Sequence, residues 1–175
     1  GNVGRSWLDY DFSNDYDTTM FGMRMDYQLS RTLNLALAFE EDINASVEDG
    51  AREQEKYTFS LGYTDRISAG FELFSRTEDY LELDRQDDAV GGSLSAEIPL
   101  SNKFGVGCLL SYTDYAEDYP GDSEEYQRYG ARFSLYRALR LGRISVGYTY
   151  NDNDSDTISE DYTNNIVFAQ LSLRW

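Results

Sequence analysis

From Thr19 to Leu29 apolar and polar residues take turns. Phe21, Met23, Met25, Tyr27 and Leu29 fall on one side, and Met20, Gly22, Arg24, Asp26 and Gln28 on the other. A helix would scatter Arg24 and Asp26 among the apolar residues of one face, so the period is that of a strand. The beat recurs along the chain. Leu33, Leu35, Leu37 and Phe39 oppose Asn34, Ala36, Ala38 and Glu40, and Tyr57, Phe59, Leu61 and Tyr63 oppose Lys56, Thr58, Ser60 and Gly62. Ala69, Phe71 and Leu73 alternate with Gly70, Glu72 and Phe74; Val90, Leu94, Ala96 and Ile98 with Gly91, Ser93, Ser95 and Glu97. Phe104, Val106, Cys108, Leu110 and Tyr112 follow, then Tyr129, Ala131, Phe133 and Leu135, then Ile144, Val146, Tyr148 and Tyr150. The opening stretch, Val3 to Phe12, alternates weakly, with Leu8, Tyr10 and Phe12 against Trp7, Asp9 and Asp11. In this register Phe74, Leu109 and Phe168 stand on the polar side.

With a closing strand, this predicts ten strands of about ten residues each, joined as an antiparallel meander. The links alternate in kind. Five acidic loops are expected at 13–18, 41–55, 77–88, 113–125 and 151–162, and four tight turns near Arg31, Arg66, Lys103 and Arg137–Arg143. Pro120-Gly121 supplies turn chemistry inside one acidic stretch.

The last nine residues run Val-Phe-Ala-Gln-Leu-Ser-Leu-Arg-Trp, with Val167, Ala169, Leu171, Leu173 and Trp175 at every second position. This segment resembles the C-terminal signal strand of bacterial outer-membrane β-barrels, which ends in an aromatic residue after alternating apolar ones. The resemblance implies an antiparallel up-and-down transmembrane β-barrel in the outer membrane of a Gram-negative bacterium. It also implies recognition of that strand by the outer-membrane assembly machinery, long loops outside, and both termini in the periplasm. An even strand number fits that placement, and strands of about ten residues are long enough to cross a bilayer when tilted.

Charge follows the same division. The five acidic loops hold 25 acids against 2 bases, while the tight turns are basic and the polar strand faces are balanced. The formal charge of −17 leaves no basic face for nucleic acid. No apolar run approaches the 18 residues of a membrane helix, and a barrel needs none, since its strands are apolar on one face only. Polar-face residues are small, as a narrow lumen requires. Tyr27, Tyr57, Tyr63, Tyr112, Tyr129 and Tyr150 cluster toward strand ends, as an interfacial girdle would. A soluble all-β sandwich is the competing architecture. The 175 residues read as one domain, 1–175, starting at Gly1 and so either mature or a piece of a longer chain.

Candidate chemistry is sparse. With no His in the chain, Ser-His-acid hydrolysis, Cys-His nucleophiles and histidine zinc sites are excluded. Cys108 has no partner for an internal disulfide and reads as a lipid-facing spectator. Arg24, Asp26, Glu40, Lys56, Glu72, Arg76, Glu97, Arg128 and Arg132 form the inferred lumen set: a charge-paired filling, or the selective lining of a narrow pore. Asp152, Asp154 and Asp156 occupy positions 1, 3 and 5 of a calcium loop, but Thr157 and Thr163 replace its Gly and Glu, leaving weak divalent binding by the loops. No other cofactor is expected. Three functions remain open: a non-enzymatic structural or anchoring barrel in contact with the bilayer and lipopolysaccharide; a low-conductance, cation-preferring channel; and a surface-binding module acting through the acidic loops on a protein partner or divalent cations.

Overall fold

Alternation of this kind leaves each strand one apolar edge and one polar edge, and neighbours must pair in a register that keeps them aligned. The computed structural model describes residues 2–8, 16–46, 50–81, 83–156 and 161–173, with side chains in 21–43, 52–81, 83–156 and 161–173. Ten strands appear: β1 (Asn2–Leu8), β2 (Tyr16–Gln28), β3 (Leu33–Ser46), β4 (Gly50–Thr64), β5 (Ser68–Tyr80), β6 (Arg85–Pro99), β7 (Phe104–Tyr119), β8 (Asp122–Leu139), β9 (Gly142–Ser155) and β10 (Tyr162–Leu173). They form one antiparallel sheet in chain order, an up-and-down all-β fold with no helix among the described residues. β1 and β10 are its two edges, and no pairing joins them among the described residues.

The expected parity holds from β2 to β10 in an unbroken register. Phe74 and Phe168 do not mark a slip: Phe74 pairs with Gly91 and Thr58, and Phe168 with Gly147, all on the polar side. β1 departs from expectation. Its pairing sets Val3 opposite Phe21 and Leu8 opposite Tyr16, so Leu8 falls in the rows of the polar side and Arg5 in those of the apolar side. The proposed face Leu8, Tyr10, Phe12 is therefore inverted at Leu8, and residues 9–15 lie outside the described residues.

The larger correction concerns the acidic stretches. Among the described residues, those expected as loops at 41–55, 77–88, 113–125 and 151–162 are mostly strand, so β3 to β9 run 13 to 18 residues rather than about ten; of the loop expected at 13–18, residues 16–18 belong to β2 and 13–15 lie outside the described residues. The physical reason is that the alternation never stops there. Arg76, Glu78 and Tyr80 continue one face of β5, Arg85, Asp87 and Ala89 one face of β6, and Tyr115, Glu117 and Tyr119 one face of β7. The ladder satisfies the backbone, and acids on the other face stay in solvent. The β7–β8 link shrinks to Pro120 and Gly121, where Gly121 has φ 93°, the left-handed conformation a Pro-Gly turn demands. Likewise the basic turn expected over Arg137–Arg143 contracts to Arg140 and Leu141, because β8 and β9 claim the flanking residues.

Burial is inverted relative to an ordinary sheet. Of the buried side chains, Ala36, Glu78, Tyr80, Ala89, Tyr126, Tyr136, Asn153 and Ser155 lie on the polar side, and Ile43, beyond the apolar residues of β3, lies on the other. The apolar side is open: Met23 is 55% exposed, Leu94 56% and Val167 84%. On the polar side Arg143 Nη1 of β9 donates to Glu97 Oε2 of β6 at 2.9 Å, passing over β7 and β8. Strands are about 4.8 Å apart and side chains leave a sheet roughly upright, so contact across three spacings means that the sheet curls toward its polar side.

Candidate functional site: the polar concave face

Glycines and aromatic rings shape this face. Phe74 lies against Gly91, Tyr136 covers Gly105 and Phe168 covers Gly147; a Cβ at Gly91 would sit 2.8 Å from Phe74 Cζ, and one at Gly147 2.6 Å from Phe168 Cζ. Each ring reaches over a neighbouring strand because the glycine has no side chain to block it. A cation then rests on each ring: Lys56 Nζ 5.7 Å from the Phe74 centroid, Arg143 Cζ 3.6 Å from Tyr136, and Arg132 Cζ 4.4 Å from Phe168. Glycine, ring and cation thus form three stacks, each drawing on three strands.

Toward the turn end lies a cavity of about 400 Å³ with a mixed lining, in which Ser95, Glu97, Arg132 and Arg143 stand beside Ala69 and Leu109. Toward the acidic end the face is crowded. Glu78, its side chain 5% exposed, takes Arg52 Nη1 at 2.8 Å and lies 3.2 Å from Arg76 Nε. Burying a carboxylate demands such partners. Arg85 is sandwiched between Tyr80 and Tyr119, its Cζ 4.7 and 4.6 Å from their centroids. Asp87 binds Arg85 at 2.6 Å and so does Glu117, which also accepts from Tyr119 Oη at 2.7 Å and Tyr126 Oη at 2.8 Å. Arg128 donates to Asn153 Oδ1 at 2.9 Å and lies over Tyr115 and Tyr126, whose rings stack at 4.6 Å. Burial, reinforced by the Glu117 carboxylate, pushes the Tyr119 and Tyr126 phenols well above their ordinary value. Burial also raises Tyr80. Desolvation pulls Arg85 down, but Asp87 and Glu117 outweigh it and hold it more firmly protonated than usual.

The inferred lumen set does not come together as one network. Among the described residues only Arg24 and Asp26 pair within it, at 2.9 Å and both largely exposed. Arg76 meets Glu78, Glu97 meets Arg143, Lys56, Arg128 and Arg132 lie on aromatic rings, and Glu40 and Glu72 stand exposed in rows with Lys56 and Ser60. The partners missed are Arg52, Glu78, Arg85, Asp87, Glu117 and Arg143, all assigned by sequence to loops or turns. Their signal was parity: Glu78 lies two residues past Arg76, and Arg143 two before Ser145.

Asp152 and Asp154 belong to β9 and Asp156 follows it, so their 1, 3, 5 spacing is strand alternation rather than a curled loop. Asp152 accepts from Thr163 Oγ1 at 2.7 Å, and among the described residues no three carboxylates or thiols are placed to hold a metal ion. Val167, Ala169, Leu171 and Leu173 share the exposed apolar side of β10; Trp175 lies outside the described residues. Cys108 is half-buried in the apolar-side row of Ala96 and Phe133.

On the apolar side the residues form a band. Its acidic border carries aromatic contacts, Phe39 with Tyr57 at 4.8 Å and Tyr112 with Tyr129 at 5.1 Å. Because the strands continue past it, these rings mark the edge of the band rather than the ends of the strands. Beyond it the same face turns acidic, with Glu53, Glu55, Asp79, Asp88, Asp114, Glu125 and Asp154. The band is oblique: the row Met23, Phe39, Tyr57, Ser75, Val90 ends on Asp114, Gln127 and Asp154. No protein-family model, curated protein or solved structure matches this chain.

Proposed function

We propose that the protein is an integral outer-membrane β-barrel, non-enzymatic, that acts as a structural or anchoring element and projects an acidic collar beyond the bilayer. The observation that carries this reading is the inverted burial: across the band, apolar side chains are exposed on one side of the sheet while polar and charged ones occupy the concave side. In water such a band would be an aggregation surface far beyond what a soluble monomer tolerates. Lipid chains are its natural solvent, with the aromatic border at the headgroups and the acidic extensions outside.

The slant of the band supports the same reading. The row through Tyr27 of β2 reaches Asn165 of β10. The band's acidic border lies six residues beyond Tyr27 at Phe21, but two short of Asn165 at Val167, a slide of eight residues in eight strand steps. About one residue of 3.3 Å per 4.8 Å spacing corresponds to strands inclined by roughly 35° to the band, the tilt of membrane barrels.

The test is Leu94→Arg in protein refolded into lipid vesicles. A lipid-facing site near mid-band should lose about 2–4 kcal/mol of stability. A loss under about 0.5 kcal/mol, as at a water-exposed surface, would overturn the reading. A low-conductance channel is the second reading, favoured by the turn-end cavity around Glu97, Arg132 and Arg143; the crowded acidic end argues against it. Discrete conductance steps in a planar bilayer would make it primary.

A further inference from the structure

Among the described residues, β1 and β10 each pair on one side only, leaving two edges of the sheet open, and no such edge is tolerated in hydrocarbon. Resting on the membrane reading above, we propose that β1 and β10 pair with each other in one definite register, Asn2 opposite Gln170, Val3 opposite Ala169 and Ser6 opposite Ile166.

The register follows from the rows and the slant. Starting from Asn2, the row passes Gly22, Glu40, Lys56, Arg76, Ala89, Tyr115 and Tyr126 to Ser155. Ser155 lies two residues beyond Asn153, which faces Tyr162, so the row would cross the line of β10 two positions before Tyr162. A perpendicular row does not meet itself around a tilted barrel; it returns displaced by the shear. The apolar band must meet itself, because both of its borders face the same two membrane surfaces. It slides about one residue per strand, so ten strands give a displacement of ten residues and bring Asn2 to Gln170. Parity agrees: Asn2 shares its row with Gly22 of the polar side, and Gln170 shares one with Ser145 of the polar side. A displacement of eight would incline the strands by only about 29°, below the barrel range of about 35–45°. Twelve would give about 40° but break the border by two residues at the seam. With ten, all seven residues of β1 face residues of β10, and each edge is satisfied by the other.

Cysteine pairs test this in refolded full-length chain carrying Cys108→Ser. Val3→Cys is combined in turn with Val167→Cys, Ala169→Cys and Leu171→Cys, and oxidised in detergent and in lipid vesicles. Directly opposed antiparallel residues have Cα atoms about 4.5–5.5 Å apart, within disulfide range. Val146→Cys with Ala169→Cys, neighbours in the β9–β10 ladder, is the control for oxidation. The expected result is an intramolecular disulfide at least tenfold more abundant for Val3/Ala169 than for the other two pairs. Preference for Val3/Leu171 or Val3/Val167 would overturn the register while leaving a closed sheet. Disulfide-linked dimers alone would replace self-closure with pairing to a second copy. No cross-link, with the control formed, would overturn closure of either kind, and the Leu94→Arg result separately judges the membrane reading.

Discussion

Glu117→Ala is the most informative single change at the acidic end. The Glu117 carboxylate accepts from Tyr119 Oη at 2.7 Å and Tyr126 Oη at 2.8 Å and pairs with Arg85 at 2.6 Å. Hydrogen bonds to a charged group contribute about 1.5–3 kcal/mol each when removed from water. Tyr126 is 8% exposed and its bond should be near the middle of that range, whereas Tyr119 is 39% exposed and water can replace much of its bond. Arg85 keeps Asp87, so its charge is not stranded. The expected loss for Glu117→Ala is about 3 kcal/mol, with about 2 kcal/mol for Tyr126→Phe and under 1 kcal/mol for Tyr119→Phe. Urea unfolding of refolded protein in vesicles, followed by intrinsic fluorescence and by gel mobility with and without heating, measures all three. Combining Glu117→Ala with Tyr126→Phe should cost little more than Glu117→Ala alone, because the bond is already gone. A loss below 1 kcal/mol for Glu117→Ala, or full additivity in the double variant, would refute a shared carboxylate hub.

Three other outcomes are expected. The raised Tyr119 and Tyr126 phenols remain neutral in the folded state where unfolded tyrosines ionise, so their contribution is fully present below the ordinary tyrosine pKa of 10.0 and lost as pH rises beyond it; urea midpoints flat from pH 7 to 9 and falling above 10, with the fall reduced in Tyr126→Phe, would show this. Gly147→Val should block folding or cost more than about 3 kcal/mol, since its side chain would meet Phe168 and the Phe133 backbone, while Phe168→Ala, a cavity change at a half-open site, should cost less; heat-dependent gel mobility distinguishes them. Glu97→Gln should weaken the reach of Arg143 across β7 and β8 by about 1 kcal/mol, discounted for a pair roughly two-fifths exposed, and a stability indistinguishable from wild type at low salt would remove that pair from the account.

Alternation was enough to place nine strand cores and their faces, because period two is a local property that each segment carries alone. The extensions were less legible. At Glu78–Tyr80 and Arg85–Ala89 the alternation persists, but a count of acids reads as loop, and only the partner strands reveal that Arg52 and Arg85 neutralise one face. Pairing partners were legible least of all. Arg143 meets Glu97 because two intervening strands stack in a given register and the sheet curls. Neither register nor curl is written in the neighbourhood of either residue. Leu8 shows the converse failure: a weak local pattern, overridden by the pairing of Val3 with Phe21.

The strands that continue past the apolar band hold their carboxylates on hydrogen-bonded sheet rather than on a mobile chain. The backbone that carries such charges cannot swing them away from a neighbour. On the membrane reading proposed above, two copies approaching side by side in a bilayer would meet as negative rims fixed to their sheets, repelling over a Debye length of about 10 Å at 0.1 M salt and about 30 Å at 0.01 M. Crowding in the plane of the bilayer would then be governed by ionic strength: copies dispersed in dilute medium, and free to approach one another as salt rises.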